Sequence, residues 1–172
     1  VLPDLQVNFD IGWTDYAQWD AFRFTFDRQV SVLQLARLLA PGTTPTSLSM
    51  PLAYQSPWSW KLGMEYSWND RLKFRAGFEP RNSSIPDDRR STLVPINQAH
   101  LYGGGIGYQF DRDTTIDLTA AYLYSKDSIP ANSSRNLNAT GLNNIVYNPY
   151  AGLDAVTQAN IIILGLAYRT TW

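Results

Sequence analysis

The feature that most restricts the fold is a two-residue alternation of apolar and polar side chains. It recurs in segments long enough to cross a thin apolar layer. In Leu5–Thr14, Leu5, Val7, Phe9, Ile11 and Trp13 fall on one side of an extended chain, and Gln6, Asn8, Asp10, Gly12 and Thr14 on the other. Successive side chains of a strand point to opposite faces, so each such segment reads as a strand with one apolar face. Six more follow: 20–27, Trp58–Trp68, Leu72–Glu79, Leu101–Phe110, Thr115–Ser125 and Gln158–Trp172. The expectation is an all-β chain of about seven antiparallel strands.

A soluble sandwich would alternate as well. It would not place aromatic residues near both ends of the apolar face, as Trp58 and Trp60 with Tyr66 and Trp68, or Tyr102 with Tyr108 and Phe110. Two such girdles mark the interfaces of a transmembrane β-barrel. Charged residues are 17% of the chain, below the roughly 25–35% of a soluble surface. The mean hydropathy is −0.26 and the longest apolar run is Ile161–Leu166, too short for a spanning helix. Tight connections at Tyr16–Trp19, Asn69–Arg71 and Asp111–Asp113 alternate with long polar ones at about 28–57, 80–98 and 127–156. In outer-membrane barrels the short turns are periplasmic and the long loops extracellular. Counting back from a periplasmic Trp172 makes the first strand descend, with Val1 outside. Val1 then reads as a processed or internal start, and the remaining half of the barrel is expected from the same or a second chain.

Other functions are disfavoured. There is no Cys, so neither a disulfide framework nor a thiol catalyst is available. The net charge of −1 offers no field for nucleic acid. His100 is the only histidine, which leaves no transition-metal set and no implied cofactor. Asp87 and Asp88 stand beside Arg89 and Arg90, so self-pairing is expected there rather than calcium. No phosphate-binding loop, nucleophile elbow or catalytic dyad is present, and the chain is not read as an enzyme.

The polar phase would line the lumen. It holds Asp10, Arg23, Lys61, Glu65, Lys73, Arg75, Glu79, Asp117 and Arg169. These charges either pair across strands, as a filled lumen requires, or present cations to a carboxylate head group. Lys61, Arg75, Arg23 and Arg169 are the candidates for the second role, with Lys61 and Arg75 expected on adjacent strands. Seven of the eleven glycines share this phase: Gly12, Gly63, Gly77, Gly103, Gly105, Gly107 and Gly165. They make room for something close to the wall, or they let the sheet bend. In the first long loop, Leu33, Leu35, Leu38 and Leu39 read as an amphipathic helix ended by Pro41-Gly42. Its apolar patch would either receive cargo or pack over the barrel mouth.

Several segments, in order, resemble the FadL/TodX (OmpP1) family of outer-membrane channels for hydrophobic compounds. They are Trp13-Thr14-Asp15-Tyr16 leading to Trp19-Asp20-Ala21-Phe22, then Leu72-Lys73-Phe74-Arg75-Ala76-Gly77-Phe78-Glu79-Pro80. Ile85-Pro86-Asp87-Asp88-Arg89-Arg90 and Gly103-Gly104-Gly105-Ile106-Gly107-Tyr108 complete them. The resemblance implies the C-terminal half of a 14-stranded barrel and passive uptake of long-chain fatty acids or aromatic hydrocarbons. The alternative is a scaffold barrel within a larger assembly. The implied surroundings are outer-membrane lipid and lipopolysaccharide. The final strand, with Tyr168 and Trp172, looks like a signal for the barrel assembly machinery.

Overall fold

A computed structural model describes residues 4–38, 44–92, 97–140 and 150–170. Leu39, Pro41, Gly42, Val1 and Trp172 lie outside them. The wall is a six-stranded antiparallel sheet. Its strands, in spatial order, are β1 (Leu5–Trp13), β4 (Trp58–Ser67), β5 (Leu72–Arg81), β6 (Ala99–Gln109), β7 (Thr114–Ile129) and β8 (Ala155–Thr170). Each is a next-neighbour hairpin partner of the last, except that β1 pairs directly with β4, with Trp13 opposite Trp58.

The second expected strand therefore leaves the wall. Residues 20–27 do contain a strand, β2 (Ala21–Thr25), but it pairs with β3 (Ser47–Pro51) in a separate two-stranded sheet. The reason is length. Five residues at about 3.3 Å each reach roughly 17 Å, short of the apolar band of about 25 Å that a wall strand must cross. Without β2, the orientation count changes by one. β1 begins at the short-turn end, where Leu5 faces Tyr66, and so runs toward the long-loop end, opposite to the direction expected above. The turn at Tyr16–Trp19 belongs to the long-loop end, and the first long loop runs from Thr14 to Pro57.

The tight turns form for local reasons. Asn69 Oδ1 accepts from the amides of Arg71 and Leu72, both at 2.9 Å, and Asp111 Oδ1 accepts from the amide of Asp113 at 2.9 Å. Such side-chain-to-backbone bonds are why Asn and Asp dominate turns. The Asp113 amide, followed by the Thr114 hydroxyl, holds the Asp111 carboxyl below its ordinary range.

Among the described residues no buried apolar cluster lies within the wall. Its apolar face carries the large exposed side chains Val7, Phe9, Leu62, Met64, Leu118, Ile162, Leu164 and Leu166. The buried apolar cluster lies instead in the loops, where Leu52, Tyr54 and Ile85 pack together with Phe22 of β2 against them. The helix of the first loop is short, α1 (Ser31–Ala36). Leu33 is buried in it while Leu35 and Leu38 stand exposed.

Candidate functional site

Strand register sorts the expected residues into rows across the wall. Facing residues of neighbouring strands share a face, so the polar phase is continuous from β1 to β8. One row runs Gln6, Glu65, Arg75, Gly105, Thr119, Gly165. The row nearer the short turns runs Ser67, Lys73, Gly107, Asp117, Ala167. The row on the other side, toward the long loops, runs Asn8, Gly63, Gly77, Gly103, Ala121, Ile163.

The first two rows hold an ion ladder. Lys73 Nζ donates to Glu65 Oε1 at 2.7 Å, Arg75 Nε to Glu65 Oε2 at 2.7 Å, and Arg75 Nη1 to Asp117 Oδ1 at 2.5 Å. Arg75 on β5 thus reaches Asp117 on β7 across the intervening β6. It can do so because β6 has glycine there. A Cβ on Gly107 would lie 2.7 Å from Asp117 Oδ1 and 3.2 Å from both terminal nitrogens of Arg75. Gly105 and Gly165 are similarly crowded, with hypothetical Cβ contacts at 3.1 Å to the Leu118 carbonyl and 2.5 Å to Thr119 Oγ1.

The third row differs. A Cβ on Gly63 or Gly103 would meet nothing within 4 Å, and Gly77 only the Leu62 carbonyl at 3.6 Å. Three adjacent strands therefore expose bare backbone on the polar face, beside free space.

The apolar face is ringed as expected. Toward the long loops, Phe9 stacks on Trp60 at 6.4 Å, Trp60 meets Phe78 edge-on at 5.7 Å, and Phe78 lies 5.0 Å from Tyr102. His100 joins this girdle, stacked on Phe78 at 6.0 Å. Toward the short turns, Trp68 meets Tyr66 and Phe74 at 6.4 and 6.5 Å, and Tyr108 meets Phe110 at 6.5 Å. Between the girdles, Gly104 and Ala120 floor an apolar hollow of about 570 Å³ flanked by Ile106, Leu118, Leu164 and Leu166.

The four candidate cations separate. Lys61 and Arg75 do lie on the polar face of adjacent strands, β4 and β5. Arg75 is committed to two carboxylates, whereas Lys61 stands opposite Asp10 with no ion pair among the described residues. Arg169 is on the same face opposite Thr115. Arg23 is not on the wall at all. It sits in β2, exposed, and donates to Asp20 at 2.6 Å, so its assignment to the lumen phase does not hold.

Sequence reasoning missed the loop clamp. Asn136 Nδ2 donates to the Pro51 carbonyl at 2.7 Å and the Arg89 carbonyl at 3.0 Å, joining all three long loops. Asn138 is fully buried, its amide donating to the carbonyls of Pro130 and Leu153 and its Oδ1 accepting from the Ser134 amide. Polar residues 130–140 carry no periodic signal that could have revealed this.

A family model described as outer membrane protein transport protein (OMPP1/FadL/TodX) matches residues 2–172. The chain belongs to this family. Members of the OMPP1/FadL/TodX family are outer-membrane transport proteins rather than enzymes, and the wall is part of such a barrel in the outer membrane of a Gram-negative bacterium. Among curated proteins, the chain is 31% identical over 65 residues to a long-chain fatty acid transport protein of Escherichia coli O6:H1. That match covers 38% of this chain and 15% of the relative. It is 18% identical over 124 residues to the protein of the same description from Escherichia coli K12, covering 72% of this chain and 24% of that one. A crystal structure of a Pseudomonas aeruginosa FadL homologue superposes with a TM-score of 0.62 at 15% identity, over 98% of this chain and 32% of the other. The likeness shows the fold. The chain spans about a quarter or less of the curated relatives it matches.

Proposed function

We propose that this chain forms part of the wall of a passive outer-membrane channel for hydrophobic small molecules, long-chain fatty acids or aromatic hydrocarbons. The observation that carries the reading is the two-faced wall, a continuous polar face backed by an apolar face with aromatic rings toward both ends, with bare backbone at Gly63, Gly77 and Gly103 on the polar side. In this reading the polar face lines the lumen, and the girdled face meets membrane lipid and, in the outer leaflet, lipopolysaccharide. The loops 14–57, 82–98 and 130–154 face outside and the tight turns face the periplasm. The unpaired edges of β1 and β8 join further strands of the barrel, from the same or a second chain. Tyr168, on the apolar face of the last strand, serves recognition by the assembly machinery together with Trp172. The names of the curated relatives support the fatty-acid choice.

Cargo would be held by burial, at about 25 cal/mol per Å² of apolar surface removed from water. Its direction would follow the gradient. Lys61 is the residue we assign to a carboxylate head group, since Arg75 already pairs with both Glu65 and Asp117. Arg169 is a second, more periplasmic stop. Exposed Leu35 and Leu38 offer apolar surface for first contact, with Leu33 fixing the helix beneath them and Leu39 as the remaining candidate.

The test uses the whole protein in cells lacking their own fatty-acid channel, with labelled oleate. Gly63→Leu with Gly103→Leu should cut uptake strongly while the protein still reaches the membrane. Lys61→Gln should weaken oleate binding by about tenfold and leave oleyl alcohol binding alone. Undiminished uptake in the double leucine variant would sink the channel reading.

A further inference from the structure

At the long-loop end, a polar cavity of about 400 Å³ opens between the segment that follows β5 and the segment that precedes β4. Its lining includes Gln55, Asn82 and Gln98, together with Ser83, Asp87 and Arg90. Arg90 is the only cation there. Its side chain is mostly buried, at 17% exposure, and it bonds two carboxylates of opposite character. Nη1 donates to Asp127 of β7, whose side chain is 13% exposed. Nη2 donates at 2.5 Å to Asp87, whose side chain is 88% exposed.

The third nitrogen is unused. Arg90 Nε is buried and has no hydrogen-bond partner among the described residues. Nε and Nη2 are the two parallel teeth of the guanidinium's side edge, the geometry that grips a carboxylate with both oxygens. Asp87 occupies one tooth only. A carboxylate bridging both would satisfy a buried donor that is costly to leave unpaired. The backbone that carries Arg90 is pinned by two further bonds. Ser134 Oγ donates to the Arg90 carbonyl, and Asn136 Nδ2 to that of Arg89.

We propose that Arg90 is a carboxylate-receiving port on the outer surface, and that Asp87 is a built-in stand-in displaced by the carboxylate of an arriving ligand. Asp127 stays as the permanent counter-ion, so Arg90 remains neutralised through the exchange. Gln55, Asn82 and Gln98 line the space around the ligand and bond the outer lone pairs of its carboxylate or neighbouring hydroxyls. The outward placement rests on the channel reading above; the chemistry at Arg90 does not. Two sources supply such a carboxylate, the head group of a fatty acid and an acidic sugar of the cell surface.

The experiment measures equilibrium binding to the full-length protein in detergent, corrected for empty micelles, with three probes. Octanoate has chain and charge, octanol the chain alone, and galacturonate the charge alone. Asp87→Asn removes the internal competitor and should tighten octanoate binding several-fold. Arg90→Gln should weaken it by about tenfold, with Arg90→Lys intermediate because an ammonium cannot form the fork. Octanol should not respond. A galacturonate response to the same variants names the sugar as the source, and its absence names the fatty acid. The port is ruled out if Asp87→Asn leaves both carboxylates unchanged, or if octanoate and octanol change together. Asp87 is exposed, so that variant folds even where Arg90→Gln does not. A wild-type protein that binds neither octanoate nor octanol would strike the channel reading, and galacturonate would still decide the fate of Arg90.

Discussion

The glycines of the polar face fall into two groups with opposite surroundings. Around Gly105, Gly107 and Gly165 an added methyl group would crowd its neighbours, the Leu118 carbonyl at the first, Asp117 and Arg75 at the second and Thr119 at the third. Around Gly63 and Gly103 the space is empty. The same residue on the same face of the same sheet thus answers two different needs. In the first group glycine admits another side chain of the wall. In the second it leaves the polar face of the wall bare. A pattern of glycines alone cannot separate these needs; the register can.

The sharpest way to break this contrast is to fill one site of each kind. Gly107→Val should place a branched side chain against Asp117 and Arg75 and cost about 2–3 kcal/mol, read as a lower unfolding temperature of the full-length barrel. Asp117→Asn should cost less, about 1–2 kcal/mol, because Arg75 keeps Glu65 and is one-third exposed to water. Gly103→Leu should stay within about 0.5 kcal/mol of the parent while slowing oleate uptake. If Gly103→Leu destabilises as much as Gly107→Val, the two groups are one and the empty row is structural.

The smallest expected effect lies in the loop that the wall excludes. Asp15 accepts from Gln18 Nε2 at 3.0 Å, Ser56 Oγ at 2.9 Å and the Ala17 amide at 3.2 Å. These bonds, Gln18 first, hold its carboxyl below the ordinary value of 3.8. A depressed carboxyl stabilises the fold above its unfolded value and loses that contribution as pH falls through the folded one. Amide exchange at Tyr16–Trp19 should therefore quicken below about pH 4. Ser56→Ala should shift that onset upward; an unchanged onset would mean that the clasp is incidental.

The wall was legible because alternation is a direct image of a strand with two unlike faces. Leu5–Trp13, Trp58–Ser67 and the later strands needed nothing more. Alternation does not say which sheet a strand joins, and so Phe22, Phe24 and Phe26 resembled a wall strand while serving a hairpin in the loop. The available signal was a short apolar phase, three residues against four or more in each of the other segments. Strand β3 was illegible, since Ser47-Leu48-Ser49-Met50-Pro51 offers too few alternations to stand out. The ion ladder was half legible. Charges on one face implied pairing, but Arg75 finding Asp117 across a strand depends on Gly107 in three dimensions. The bond from Arg90 to Asp127 joins residues 37 apart in loop and strand, and no local pattern announces it.

The reach of Arg75 over β6 has a further consequence, for assembly. β6 carries glycine at 103, 104, 105 and 107, so it has few side chains with which to resist slipping along its neighbours. A slip of one residue would turn every side chain of a strand to the wrong face. Because Arg75 must meet Asp117 over Gly107, a one-residue slip of β6 would bring Ile106 or Tyr108 beneath that bond and break it. The smoothest strand of the wall is indexed by a bond in which it takes no part.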